Sequence, residues 1–189
     1  MYRLALANVE KSYGMDHPKV AIARGELAFS LHNGSLDFAS ARREYDDAIA
    51  VLPSDFVNRV NYGGLCLVLD DKDEARRQLE AAWKLRPDVP DRFTARALLY
   101  RAALAVFSNE DPTQYLAQLK SILKPQLAAS PNKATSVAKY FEREIPENHR
   151  HLFQVALTVV FDATLLPELE ALDDWKTIVP IPIETLLED

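Results

Sequence analysis

The segments ARREYDDAIAVLPS, Ala41 to Ser54, and ARRQLEAAWKLRPD, Ala75 to Asp88, align without a gap at an offset of 34 residues. Ala41 pairs with Ala75, Arg42 with Arg76, Arg43 with Arg77, Ala48 with Ala82 and Pro53 with Pro87. Two unrelated amphipathic helices do not share that many identities at one offset. The chain contains a repeat. A repeat of this length is one supersecondary unit, which buries its apolar face only against its neighbours.

The 189-residue chain has five glycines and 48% hydrophobic residues, a balance that favours helices around a substantial core. In HPKVAIARGELAFSLH, His17 to His32, the residues Val20, Ala23, Leu27, Ala28 and Leu31 have helical spacing. The turn HNGS is expected to close that helix, and a second is expected from about Asp37 to Val51. Further helices are expected at Phe56 to Leu69, Lys72 to Leu85, Asp91 to Phe107, and from DPTQ to about Leu123. Asp71, with Glu74 three residues on, has the arrangement of a capping box. In DPTQ, Asp111 takes the N-cap place, Pro112 the first helical position, and Gln114 a place from which it reaches back. Connections of a few residues make neighbouring helices antiparallel.

A helix pair repeated at 34 residues resembles the tetratricopeptide (TPR) family. The segment VNRVNYGGLCLVLDDKDEARRQLEAAWKLRPD is similar to the family pattern over its whole length. Tyr62, Gly63 and Cys66 stand at the Leu, Gly and Tyr places of the first helix. Ala75, Leu79, Ala82 and Pro87 stand at the Ala, aromatic, Ala and Pro places of the second. Arg59 departs at the first aromatic place. The upstream unit keeps Ala41, Tyr45, Ala48 and Pro53, with Leu27, Ala28 and Leu31 on its first helix and one extra residue in the turn. A third unit keeps Phe93, Ala97 and Tyr100, but its second helix, DPTQYLAQLKSIL, is degenerate. A weaker resemblance lies in ANVEKSYGMDHPKVA, Ala7 to Ala21, which is similar to the inter-repeat segment of kinesin-light-chain-type units through Glu10, Lys11, Gly14, Asp16, His17 and Pro18. It implies that Tyr2 to Ser12 is the second helix of an incomplete unit, and that the chain derives from a longer array.

The resemblance implies an all-α fold, with antiparallel helix pairs stacked as a short right-handed TPR solenoid. The repeats would fill residues 1–124, as a partial unit 1–16 and units of about 17–54, 55–88 and 89–124. Residues 125–175 read as C-terminal capping helices. SPNKATSVAKYFEREI carries Ser130 as cap and Pro131 at its first position, a longer helix is expected at Glu147 to Leu165, and a short piece from Pro167 to Trp175. These helices either close the open apolar end of the stack or form a dimer face. The tail 176–189 reads as extended, with Val179, Ile181 and Ile183 on one side and Pro180 and Pro182 on the other. Two prolines at i and i+2 rule out a central strand. The tail packs on its own domain, inserts into a partner, or stays disordered.

Charge narrows the function. A net charge of −6 and a pI near 5.3 argue against binding a nucleic-acid backbone. The single cysteine excludes an internal disulfide framework. Apolar runs stay well short of the ~20 residues that span a bilayer, and the N-terminus MYRLALANVEKSYG lacks signal-peptide features. A cytoplasmic protein is expected, without membrane or nucleic-acid partners.

Catalytic motifs are absent: there is no phosphate loop, GxSxG elbow, HExxH or paired CxxC. His149 and His151 are two residues apart, so on a helix their rings diverge and do not form a metal site. Cys66 takes a helix-packing place. Asp70, Asp71 and Asp73 lack the glycine and terminal glutamate of a calcium loop and read as a turn and cap. No cofactor and no enzymatic activity are expected.

Binding remains. In the family, first helices line a concave groove for a peptide or partner helix. The corresponding positions here are Phe29 and His32, then Val60, Asn61, Gly64, Leu67 and Val68, then Thr94, Leu98 and Arg101. The alternative is that the apolar ones are covered by a helix or the tail. Family members that clamp chaperone C-termini use cationic and Asn side chains, of which only Asn61 survives. Gly25, Phe29, Asp91 and Ala95 occupy the other places. Without cations to offset carboxylate desolvation, that ligand class is excluded. The expected function is a protein–protein interaction scaffold. Its rivals are a regulatory or sensor domain of a larger bacterial-type system, and a structural homodimer through residues 147–189.

Overall fold

The computed structural model describes residues 1–123, 135–161 and 166–182. Among them the chain is all-helical, with eleven α-helices and one π-helical turn. It divides into two compact units, Met1–Leu85 with Thr135–Val137, and Arg86–Ala134 with Ala138–Asp189.

The first unit holds α1 (Tyr2–Tyr13), α2 (Pro18–Ser30), α3 (Phe38–Val51), α4 (Phe56–Val68) and α5 (Lys72–Lys84). Each helix packs on the next, and α2 also touches α4. Helix starts are fixed by side chains that satisfy orphan N–H groups. Asp37 accepts from Ser40 N, Asp55 from Asn58 N, and Asp71 from Glu74 N. His17 Nδ1 accepts from Lys19 N, with Pro18 at the first helical position. The Glu74 carboxylate holds Arg77 and Gln78, and the complete reciprocal box forms at Asp91 and Thr94 instead.

The repeat positions explain the packing. Ala28, Ala41, Tyr45, Ala48, Cys66, Ala75, Leu79 and Ala82 are all buried, as is Gly63. A Cβ at Gly63 would stand 2.7 Å from Leu79 Cδ2, so the bare backbone is what lets α4 and α5 meet so closely. Tyr45 and Tyr62 stack at 5.4 Å between centroids, and the Tyr62 hydroxyl donates to Asp46 Oδ1 at 2.7 Å. Ion pairs add cross-links. Arg24 on α2 reaches Glu10 on α1 and Glu44 and Asp47 on α3, and Arg42 reaches Asp71 at 2.9 Å.

The expected turn HNGS is a correction. Residues Leu31–Ser35 continue α2 as a π-helical turn. The extra residue of the upstream unit is absorbed there, since a π turn widens the helix by one residue. Cys66 O accepts from Asp71 N, five residues on, whereas the matching Leu31 O accepts from Asp37 N, six residues on.

The second unit contains α6 (Arg92–Phe107), α7 (Thr113–Ile122), most of α8 (Thr135–Glu144), α9 (Glu147–Phe161), α10 (Leu166–Ala171) and α11 (Asp173–Thr177). Helix α6 packs on α7 and α9, and α10 packs on α9 and α11. Phe107, Tyr140, Phe141 and Phe153 form a chain of edge-to-face rings. Three expectations need correction here. Helix α7 begins at Thr113 rather than Pro112, although Asp111 Oδ1 still accepts from Thr113 N. The piece expected through Trp175 is two helices separated at Leu172, and the second runs to Thr177, inside the expected tail. In the tail Ile178 is buried and Val179 is 74% exposed, so Val179 is not on the packed side. Ser130, Pro131, Ile183 and the end of the helix expected to reach Leu165 lie outside the described residues.

Candidate functional site

In the first unit the expected binding positions sit on α2, the π-helical turn and α4. Val60, Asn61, Gly64, Leu67 and Val68 fall at helical spacing along α4, so the helix gathers them on one side. Phe29 and His32 meet edge to face at 6.4 Å, and His32 meets Phe38 in the same way at 6.2 Å. The π turn places the His32 ring between those two phenylalanines, at 1% exposure. Val60, Asn61, Gly64 and Leu67 are buried as well, while Phe29 and Val68 are half-buried.

The second unit carries the other three on α6. Thr94 is fully buried and engaged locally: its Oγ1 accepts from Asp91 N while Asp91 Oδ1 accepts from Thr94 N. Leu98 is buried, and the half-buried Arg101 lies over the Tyr115 ring at 4.7 Å. Thr94 thus starts a helix, a role that the Asp-x-x-Thr spacing would have revealed.

Residues outside the assigned binding positions shape the same helices. Asn58 is buried, and its Nδ2 donates to Ala21 O at 3.2 Å. Arg59, at the departed aromatic place, donates to Pro53 O and Gln78 Oε1. Burial, then the neighbouring Arg77 charge, lowers its pKa. Arg96 is 2% exposed, with its guanidinium 4.1 Å from the Phe161 ring centroid and 5.0 Å from that of Phe93. Flat, weakly hydrated guanidinium groups tolerate such sandwiches. No sequence motif announces this one, because Phe161 is remote in the chain.

The chemistry available to these residues is limited. Burial, and secondarily the Glu74 carboxylate, push the Cys66 thiol well up, which suppresses thiolate. Among the described residues no three His, Cys, Asp or Glu side chains gather as a metal site. Asp71 caps α5 and pairs with Arg42, and Asp70 occupies the turn before it. Likewise, no described helix is long and apolar enough to cross a membrane.

No protein-family model, curated protein or solved structure matches the chain.

Proposed function

We propose that the chain is a non-enzymatic protein–protein interaction scaffold of tetratricopeptide type, which binds a peptide or partner helix along its first helices. The observation that supports this reading is the doubled helix pair of the first unit. Helices α3 and α5 bury Ala41 with Ala75 and Ala48 with Ala82 at a 34-residue offset, and α2 and α4 bury Ala28 with Gly63 at 35, the design of an array that presents surfaces rather than a reaction centre. Phe29 and Val68 are the side chains with remaining exposure on this unit's assigned face. An apolar or amphipathic ligand suits them, because no cation stands among the first-unit positions. Val60, Leu67 and Gly64 act from inside, by holding the helices that present those two.

The test substitutes Phe29→Glu and Val68→Glu together and measures affinity for a purified stoichiometric partner. A loss of about tenfold or more with an unchanged melting curve supports the reading, since interface energy concentrates in few side chains. A partner bound equally well by both chains overturns the site, and the lack of any stoichiometric partner overturns the scaffold itself.

A further inference from the structure

Residues 178–182 are held against α7 mainly through their own main chain. The Lys120 ammonium donates to Trp175 O at 2.6 Å and Ile178 O at 2.8 Å, and lies 5.6 Å from the centroid of the Trp175 ring. Ser121 Oγ donates to Ile181 O at 2.8 Å, and Ile181 N donates to Ala117 O at 3.3 Å. Ile181 supplies the only amide N–H of the stretch 180–182, because both of its neighbours are proline. Pro182 also biases Ile181 towards extended backbone, so the segment is shaped for docking before it docks.

Side chains contribute little to this contact. Ile178 is buried, whereas Val179, Pro180 and Pro182 are exposed and Ile181 is half-buried. A surface that reads carbonyls, one N–H and a single aliphatic anchor selects an extended shape and not a particular chain. An element with so little burial also belongs to the low-stability end of a fold, from which movable elements are drawn.

We infer that residues 178–182 are a displaceable internal ligand. The α7 surface of Ala117, Lys120 and Ser121 is a receptor for an extended peptide with an aliphatic anchor followed by Pro-x-Pro. The chain's own tail occupies this receptor until an external peptide of the same chemistry competes. The inference is independent of the first-helix face proposed above, since α7 is a second helix and the contacts lie wholly within the second unit. Recognition follows the logic of preformed extended ligands, in which main-chain bonds give affinity and the anchor gives register.

The test uses the full chain and the synthetic peptide TIVPIPI, which copies residues 177–183. Hydrogen exchange at the Ile181 amide and the NMR signals of Val179 and Ile181 report the segment. Ile181 should exchange at least about tenfold faster than the α6 amides, as expected for local opening. Saturating peptide should move the Val179 and Ile181 signals to unstructured positions. In Lys120→Met with Ser121→Ala, the same signals should be unstructured without peptide, and the peptide should no longer bind. If Ile181 exchanges only with global unfolding, or opens but is not displaced by peptide, the segment is a fixed part of the fold and the inference fails.

Discussion

Leu36 and Asp70, 34 residues apart, both lie in the left-handed region at φ 56°, each where a first helix gives way to a second. Asn109 does the same at the end of α6. After α4 and α6 the turn is complete: Asp71 N bonds Cys66 O and Asp70 N bonds Leu67 O, as Glu110 N bonds Ala105 O and Asn109 N bonds Val106 O. These are paired bonds of the Schellman kind, which usually place glycine where this chain has Leu, Asp and Asn. The repeat is therefore written in the backbone as well as in the side chains.

Leu36 is the least suited to that conformation, and at 40% exposure it packs little in return. A left-handed non-glycine residue costs ~1–2 kcal/mol, and glycine gives back at most ~1 kcal/mol in unfolded-chain entropy. Leu36→Gly should therefore stabilise the first unit by about 0.5–1 kcal/mol, or roughly 2 °C in melting temperature. Leu36→Val should move the midpoint the other way, because β-branching is least tolerated there. Denaturant melts of both variants check the pair. A destabilised glycine variant would show that the Leu36 side chain matters more than its backbone.

Gly25 and Gly63 stand where a neighbouring helix leaves no room for a Cβ. A Cβ at Gly25 would stand 1.7 Å from Asn58 Oδ1. To make room, Asn58 must turn away from Ala21 O and leave a buried amide unpaired. Gly25→Ala should cost about 2–4 kcal/mol, and Gly63→Ala, against the Leu79 side chain, about 1–3 kcal/mol. The double variant Gly25→Ala with Asn58→Ala should recover much of the first loss. Equal stability of the single and double variants would remove Asn58 from the explanation.

How much of this was legible depended on the residue type that carried each feature. The 34-residue offset located the helix pairs, and Ala41, Ala48, Ala75 and Ala82 proved to be buried packing positions. The π turn was not legible, because HNGS is an ordinary turn sequence and only the hydrogen bonds of Leu31 O show how the extra residue is absorbed. Asp70 read as a turn residue, but the left-handed backbone at Leu36 gave no signal, since leucine is not a residue that marks such a turn. The assigned binding positions were placed by resemblance, and composition alone does not separate a groove lining from a helix interior. Arg96 between Phe93 and Phe161 depends on contacts remote in sequence. In the tail the prolines were informative about pairing, but which isoleucine packs depends on the carbonyls that Lys120 selects.

Cys66 makes the alkaline limb of stability a readout of the α4 interior. Its thiol pKa is raised, first by burial, so the folded state holds the proton more tightly than the unfolded state. The associated stability is fully present below the unfolded thiol value, ~8.5, and falls as pH rises above it. Tyr100, pushed up to about 12 by burial, and Tyr62, also raised mainly by burial, add the same sign at higher pH. Between about pH 8.5 and pH 10 the wild-type chain should lose stability while Cys66→Ala holds nearly level, until the tyrosines begin to titrate. Native Cys66 should also resist alkylation until the first unit unfolds. Rapid labelling of the folded chain would contradict its burial.

Arg24 gives the clearest test of what holds α1 in place. Its guanidinium donates to Glu10 Oε1 at 2.8 Å, Glu44 Oε2 at 2.9 Å and Asp47 Oδ2 at 3.3 Å, and so ties α1 and α3 to α2. A guanidinium fork serves several carboxylates at once, which an ammonium does less well. Glu10 and Glu44 are about three-quarters covered and Asp47 is mostly exposed, so solvent screening discounts the pairs. Arg24→Met keeps the stem but leaves three carboxylates without their cation, a loss of about 1–2 kcal/mol after that discount. The amides of α1 should then exchange faster, and the usual weakening by added salt should shrink, because the attraction it screens is gone. If wild type and variant respond identically to salt, the cluster contributes nothing, and the packing of Leu6 with the contact of Tyr13 to Lys19 secures the helix.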